Sequence, residues 1–124
     1  MLFQIDHASP LGLSEQISGQ IRAGIVSGDL AAGERLPPAR ELGRSLQVNM
    51  HTVLKAYAVL RDDGLLELRR GSGARVTEGV NPALVRLTEL TAELAEQARK
   101  LGLSSAELIA RIEGAYPAHG PQPS

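Results

Sequence analysis

The sequence has no cysteine and no tryptophan, and only one phenylalanine and two tyrosines among its 124 residues. Without cysteine there can be no disulfide, no thiolate metal ligand and no cysteine nucleophile. Aromatics make up 2% of the chain and hydrophobic residues 43%, so Leu, Ile, Val and Ala must fill the core. Apolar runs stay short, so no segment is suited to crossing a bilayer. The first residues have no basic segment leading into an apolar one, which predicts no secretion signal and a cytoplasmic protein without membrane attachment. Net charge is nearly absent too, at −1. Its distribution is uneven, however. Between residues 36 and 77, Arg40, Arg44, Lys55, Arg61, Arg69, Arg70 and Arg75 face Glu41, Asp62, Asp63 and Glu67, seven basic residues against four acidic. A local basic face on a neutral chain suits a nucleic-acid binder that needs base contacts as well as phosphate attraction. A mixed solvated surface would give the same totals.

Catalytic chemistry finds little support. His7, His51 and His119 are far apart and lack metal-ligand spacing. No nucleophile elbow is present, and Gly71-Ser72-Gly73 lacks the strand-to-helix setting of a phosphate loop. The expectation is no metal, no cofactor and no enzymatic activity.

Periodicity gives the element order. Residues 2–5 alternate weakly and predict a short strand, broken at Ser9-Pro10. Leu13, Ile17, Ile21 and Ile25, each four apart, form one stripe of a helix over about 11–26, with Gly28 as its cap. Residues 28–34 are turn-rich. Pro37 and Pro38 open a helix over 39–46, with Leu42 and Leu46 inward and Arg40 and Arg44 on the other side. Gln47-Val48 turns the chain. Asn49 is a good N-cap for a helix from about 50 to 63, whose buried stripe is Val53, Tyr57 and Leu60, and Gly64 ends it. Residues 65–69 and 74–77 read as a two-stranded hairpin with Arg70-Gly71-Ser72-Gly73 at its tip.

Pro82 then starts a helix to about 101, striped by Leu84, Leu87, Leu90, Leu94, Ala98 and Leu101. Gly102 fits a left-handed cap with Leu103 folded back over it. Ser104 and Glu107 form a capping box for a last helix to about 113, which carries Leu108, Ile109 and Ile112 on its apolar face. Residues 118–124 are predicted to be disordered. The class is α+β, mainly α. It comprises a winged helix-turn-helix DNA-binding domain over 1–79, a two-helix dimerisation region over 80–117, and the tail.

Helix, turn, helix and basic hairpin occur in the order that places a helix in a DNA major groove. Asn49, Met50, His51 and Thr52 stand at the start of that helix, and Lys55 one turn later. Asn and His can hydrogen-bond base edges, and Thr and Met can touch a thymine methyl. The helix start also offers N–H groups and a positive dipole to phosphate. Arg40 and Arg44 flank it from the preceding helix. Arg69, Arg70, Gly71, Ser72 and Gly73 at the hairpin would follow the minor groove, where arginine is favoured. For each residue alone, a cap or a solvated surface position is the simpler account; their combination on one face favours DNA.

Residues 12–77 resemble the winged-helix domain of the GntR family of bacterial transcription regulators. The residues carrying this are Glu15-Gln16-Ile17, Ile25, Gly28-Asp29-Leu30, Gly33, Leu36-Pro37, Arg40-Glu41-Leu42, Leu46, Val48-Asn49, Thr52-Val53, Ala56-Tyr57, Leu60, Gly64 and Gly71-Ser72-Gly73. The Val48-Asn49, Thr52-Val53 and Ala56-Tyr57 pairs are similar to the YtrA and MocR branches, and the short two-helix tail to the YtrA branch. The resemblance implies a homodimer bound to palindromic operator DNA, usually a repressor, with contacts at positions matching Arg40, Asn49, Met50, His51, Thr52 and Arg70-Gly71. It also implies pairing of two copies through the tail stripe of Leu84, Leu87, Leu90, Leu94, Ala98, Leu101, Leu108, Ile109 and Ile112. An unidentified small-molecule effector is left open, with the seam between copies as the place for its pocket. Three positions depart from the family. Pro38 replaces a serine cap, Met50-His51 replaces Pro-Asn, and Leu54 stands where some members have arginine. The alternative is a winged-helix protein-interaction or assembly module without sequence-specific DNA binding.

Overall fold

The computed structural model describes residues 2–70 and 73–116. Gly71 and Ser72 of the expected hairpin tip, and the tail expected to be disordered, lie outside the described residues. Among the described residues the elements are α1 (Leu13–Ser27), β1 (Arg35–Leu36), α2 (Ala39–Leu46), α3 (Met50–Asp62), β2 (Leu66–Arg69), β3 (Gly73–Val76), α4 (Pro82–Lys100) and α5 (Ser105–Ala115). The chain divides into two compact units, Met1–Val85 and Arg86–Ser124.

In the first unit the four-residue spacing of α1 does what an amphipathic stripe should: Ile17, Ile21 and Ile25 are fully buried. Gly28, at φ 89°, caps the helix by donating its N–H to the Ile25 carbonyl. The chain then turns back so that Leu30 is buried and its N–H reaches the Gly24 carbonyl at 2.9 Å. On α3 the buried residues are Val53, Ala56, Tyr57 and Leu60. Ala56 belongs to this stripe beside the three expected members. At the far end of α3, Asp63 accepts from the Arg22 guanidinium of α1 at 2.7 Å.

The sheet has three antiparallel strands in the order β1-β3-β2, rather than the two expected. Arg35 pairs with Arg75, and Leu36 with Ala74. Two flanking backbone bonds of 2.8 Å extend the pairing, from the Gly33 N–H to the Val76 carbonyl and from the Val76 N–H to the Glu34 carbonyl. Strand alternation sends Leu36, Ala74, Val76 and Leu66 into the core. Arg35, Arg75 and Glu67 lie in one row across the other face.

The strand expected at residues 2–5 is not there. Phe3 and Ile5 do pack on the core, which is why the segment alternates. Its backbone, however, bonds to side-chain amides of α1 rather than to another strand. Gln20 accepts from the Gln4 N–H and donates to the Gln4 carbonyl, while Gln16 accepts from the Asp6 N–H at 2.9 Å and donates to the Asp6 and Leu11 carbonyls. At the other end of the unit, Asn81 caps the start of α4 by accepting from the Ala83 and Leu84 N–H groups, and Val85 joins the core.

In the second unit, Gly102 takes φ 74° and the Leu103 N–H returns to the Ala98 carbonyl at 3.0 Å. Ser104 and Glu107 make the reciprocal capping box that opens α5. Those bonds, first from the Ser104 backbone and then from its side chain, hold the Glu107 carboxyl below its ordinary value. Ala98 is 6% exposed within a single chain, whereas Leu90 and Leu94 are each 43% exposed and Leu101 76%. Ala98, expected to face a second copy, is therefore already covered by its own chain.

Gly43 sets the separation of α2 and α3. A Cβ there would stand 2.9 Å from the Val48 carbonyl oxygen and 3.2 Å from the Met50 Cα, both backbone atoms. Gly43→Ala must force the two helices apart, and an overpacked core site costs about 1–3 kcal/mol. Urea unfolding should show that loss, whereas Gly19→Ala, with nothing within 4 Å of its Cβ position, should leave stability equal or higher.

Candidate nucleic-acid interface

Helices α2 and α3 are joined by a turn in which Gln47 adopts the left-handed conformation at φ 58°. The Val48 N–H bonds back to the Gly43 carbonyl at 2.9 Å. This brings the start of α3 directly beside α2. Asn49 caps α3 as expected, its Oδ1 accepting from the His51 N–H at 2.8 Å. Its own carbonyl takes the Thr52 N–H at 2.9 Å. The helix start therefore offers fewer free N–H groups than expected. What Asn49 retains is its exposed Nδ2, with two donors. Pro38 stands at the N-cap of α2, and no side chain caps that helix start.

Tyr57 locks the arrangement from behind. Its hydroxyl donates to the Pro37 carbonyl at 2.7 Å, tying the middle of α3 to the entry of α2. Burial, and then the Glu41 charge, push its phenol well above the ordinary value, so it remains a neutral donor.

The candidate residues group unevenly. Arg40, Met50, Arg69 and Gly73 line one shallow cleft of about 320 Å³, together with Pro38, Ala39, Leu54, Tyr57 and Leu68. This cleft joins the start of α2, the exposed face of α3 and the base of the hairpin. Arg44, His51, Thr52 and Lys55 lie on α2 and α3 outside its lining. Arg70 is exposed in the turn just beyond β2. Gly73 opens β3 at φ 79°. Arg69 is not free, since Glu67 lies 3.6 Å away. Arg61 and Arg22 likewise face Asp62 and Asp63. Among the described residues Arg40, Arg44, Lys55 and Arg70 have no carboxylate partner. Basic charge without internal partners is what a polyanion requires. Of the apolar lining, Leu68 was not expected at this surface, whereas Leu54 was. The signal for Leu54 was present in the sequence, because it stands four residues after Met50 on the unburied side of α3.

A three-helix core and a small antiparallel sheet make a winged helix-turn-helix domain, with unpaired cations around the start of the second helix of the turn. The chain belongs to the gntR family of bacterial regulatory proteins, whose pattern matches residues 13–76. It is 36% identical over 84 residues to the HTH-type transcriptional repressor YtrA of Bacillus subtilis (strain 168), an alignment covering 68% of this chain and 65% of that protein. It is 31% identical over 114 residues to the HTH-type transcriptional regulator YhcF of the same organism, covering 89% and 93%. Among solved structures it is similar to YtrA from Sulfolobus acidocaldarius, a GntR-family transcription factor, with a TM-score of 0.59 and 35% identity over 74% of this chain and 97% of that one. It is also similar to the DNA-binding domain of AraR solved in complex with operator ORX1, with a TM-score of 0.53 and 26% identity over 60% of this chain and 96% of that one. The family and these relatives are transcription regulators, not enzymes.

Tyr57→Phe removes one buried donor and leaves the Pro37 carbonyl unpaired. The expected loss is about 1–2 kcal/mol in chemical denaturation, with the denaturant slope unchanged.

Proposed function

We propose that this chain is a cytoplasmic repressor that binds a palindromic operator as a homodimer. The observation carrying this reading is the set of unpaired cations, Arg40, Arg44 and Lys55, placed around the capped start of α3. In this reading α3 enters the major groove. Asn49, Met50, His51 and Thr52 meet base edges, Arg40, Arg44 and Lys55 meet phosphates or bases, and Arg69, Arg70, Gly71, Ser72 and Gly73 follow the minor groove.

Two copies join through the apolar residues that single-chain folding leaves exposed on α4 and α5: Leu84, Leu87, Leu90, Leu94, Leu101, Ile109 and Ile112. Leu108 is half-buried and Ala98 buried, so these two stiffen the seam rather than insert across it. A regulatory small molecule would enter at that seam. No described helix is long and apolar enough to cross a membrane. The other reading, a winged helix that binds only protein, gives no particular reason for cations on α2 and α3 to stand, among the described residues, without carboxylate partners around the start of α3.

Selection from a random pool of duplex DNA, followed by gel shift, tests the function; failure to enrich any sequence overturns it. Arg40→Ala should weaken binding to the selected operator by about 1–3 kcal/mol. Affinity should also fall steeply with salt, and the slope should become shallower by about one contact in a Lys55→Ala variant. Replacing Leu90 and Leu94 with Glu should give monomers in sedimentation, with an intact thermal transition for the first unit and much weaker operator binding. A dimer that still binds normally would defeat the proposed seam.

A further inference from the structure

We propose that Met50 and Leu54 together read thymine methyl groups in the operator half-site, a specificity role that rests on this face being the DNA interface. The two residues stand four apart on α3, so their side chains share one face of the helix, one turn from each other. Both line the cleft between Arg40 and Arg69. Met50 is half-buried and Leu54 remains 39% exposed, so neither is consumed by the core beneath. An apolar pair amid exposed cations contributes nothing to phosphate attraction, which Arg40 and Lys55 already supply. Leu54 has no hydrogen-bonding atom, and the Met50 thioether is only a weak acceptor. The apolar feature that distinguishes one base pair from another in the major groove is the thymine C5-methyl.

The position on the helix fits this role. Met50 is the first residue of α3 and Leu54 lies one turn inside it, at the end of the helix that such proteins present to base edges. Methionine is unbranched and adapts its shape, while the backbone beneath it is held against Gly43, 3.2 Å from the Cβ position there. The polar readers, His51, Thr52 and the Asn49 amide, are thereby left for hydrogen-bonding edges.

The test uses the full chain and an operator enriched from random duplex DNA. Each thymine of the half-site is replaced in turn by deoxyuridine, which removes the methyl and leaves base pairing intact. The expected result is one or two positions per half-site where the replacement weakens binding about fourfold, the effect of one buried methyl-sized group. In a Met50→Ala, Leu54→Ala double variant that sensitivity should vanish at the same positions. Leu54→Asn, at a partly exposed site, makes the same comparison if the double variant does not fold. An operator with no uracil-sensitive position, or with a sensitivity that survives in both variants, overturns the proposal while leaving DNA binding in place. A pool from which nothing is enriched overturns the reading of the interface, and the proposal with it.

Discussion

The approach of α3 to α2 at Gly43 is the contact that everything at the reading edge depends on. A hydrogen atom is all that fits between that backbone and the Val48 carbonyl. The left-handed Gln47 and the bond from the Val48 N–H to the Gly43 carbonyl complete a reversal with little slack. Asn49 and Met50 therefore take their places from backbone geometry, not from the chance packing of long side chains. Tyr57 fixes the other side of the same joint through Pro37. Val53, Ala56 and Leu60 anchor the back of α3 in the core. A probe held this way loses little conformational freedom when it meets a partner, and that is where preorganised binders gain affinity.

The electrostatics follow from what that joint leaves outside. The chain carries almost no net charge, yet its carboxylates are spent unevenly. Asp63, Asp62 and Glu67 stand beside Arg22, Arg61 and Arg69. Arg40, Arg44 and Lys55 stand beside none among the described residues. The Glu67–Arg69 pair is exposed at both ends, and such pairs contribute only about 0–1 kcal/mol. Arg69 can leave Glu67 for a phosphate at small cost. Asn49 gives its amide oxygen to the helix, and in the proposed complex its nitrogen would be the part that meets DNA.

Much of this was legible in the chain, and what was not has physical reasons. The bounds of α2 and α3 came from Pro38, Asn49 and Gly64, because caps and breakers act within a few residues. The tail helices came from a leucine stripe and from the reciprocal Ser104–Glu107 box, which are local signals too. β1 was invisible because a two-residue strand has no period of its own; Arg35 and Leu36 are a strand only because β3 lies beside them. The segment at residues 2–5 misled for the opposite reason. Its alternation is real burial, but the groups that satisfy its backbone are glutamine side chains on α1, 16 residues away for Gln4 and Gln20. Gly43 could not be told from Gly19 by propensity, since both are helical glycines. Only the neighbouring turn gives one of them a steric role. At the interface, the cations and Asn49 were readable one by one. The cleft uniting Arg40 with Leu54, Leu68 and Arg69 needed the fold.

In the proposed dimer the two compact units contribute to affinity in different ways. A single reading edge carrying a handful of unpaired cations meets few phosphates, and binding driven by few phosphate contacts is weak at physiological salt. The second unit offers no edge of its own to DNA in this reading. It offers leucines and isoleucines that stay exposed after folding, an apolar surface that a solitary soluble chain would do better without. In the proposed dimer these two deficits cancel. Burying the stripe makes capture of the second half-site intramolecular, at an effective concentration of order mM for a short connection. Operator affinity then grows because the same reading edge is used twice, the second time intramolecularly. The sequence information stays in α3, and the strength comes from pairing.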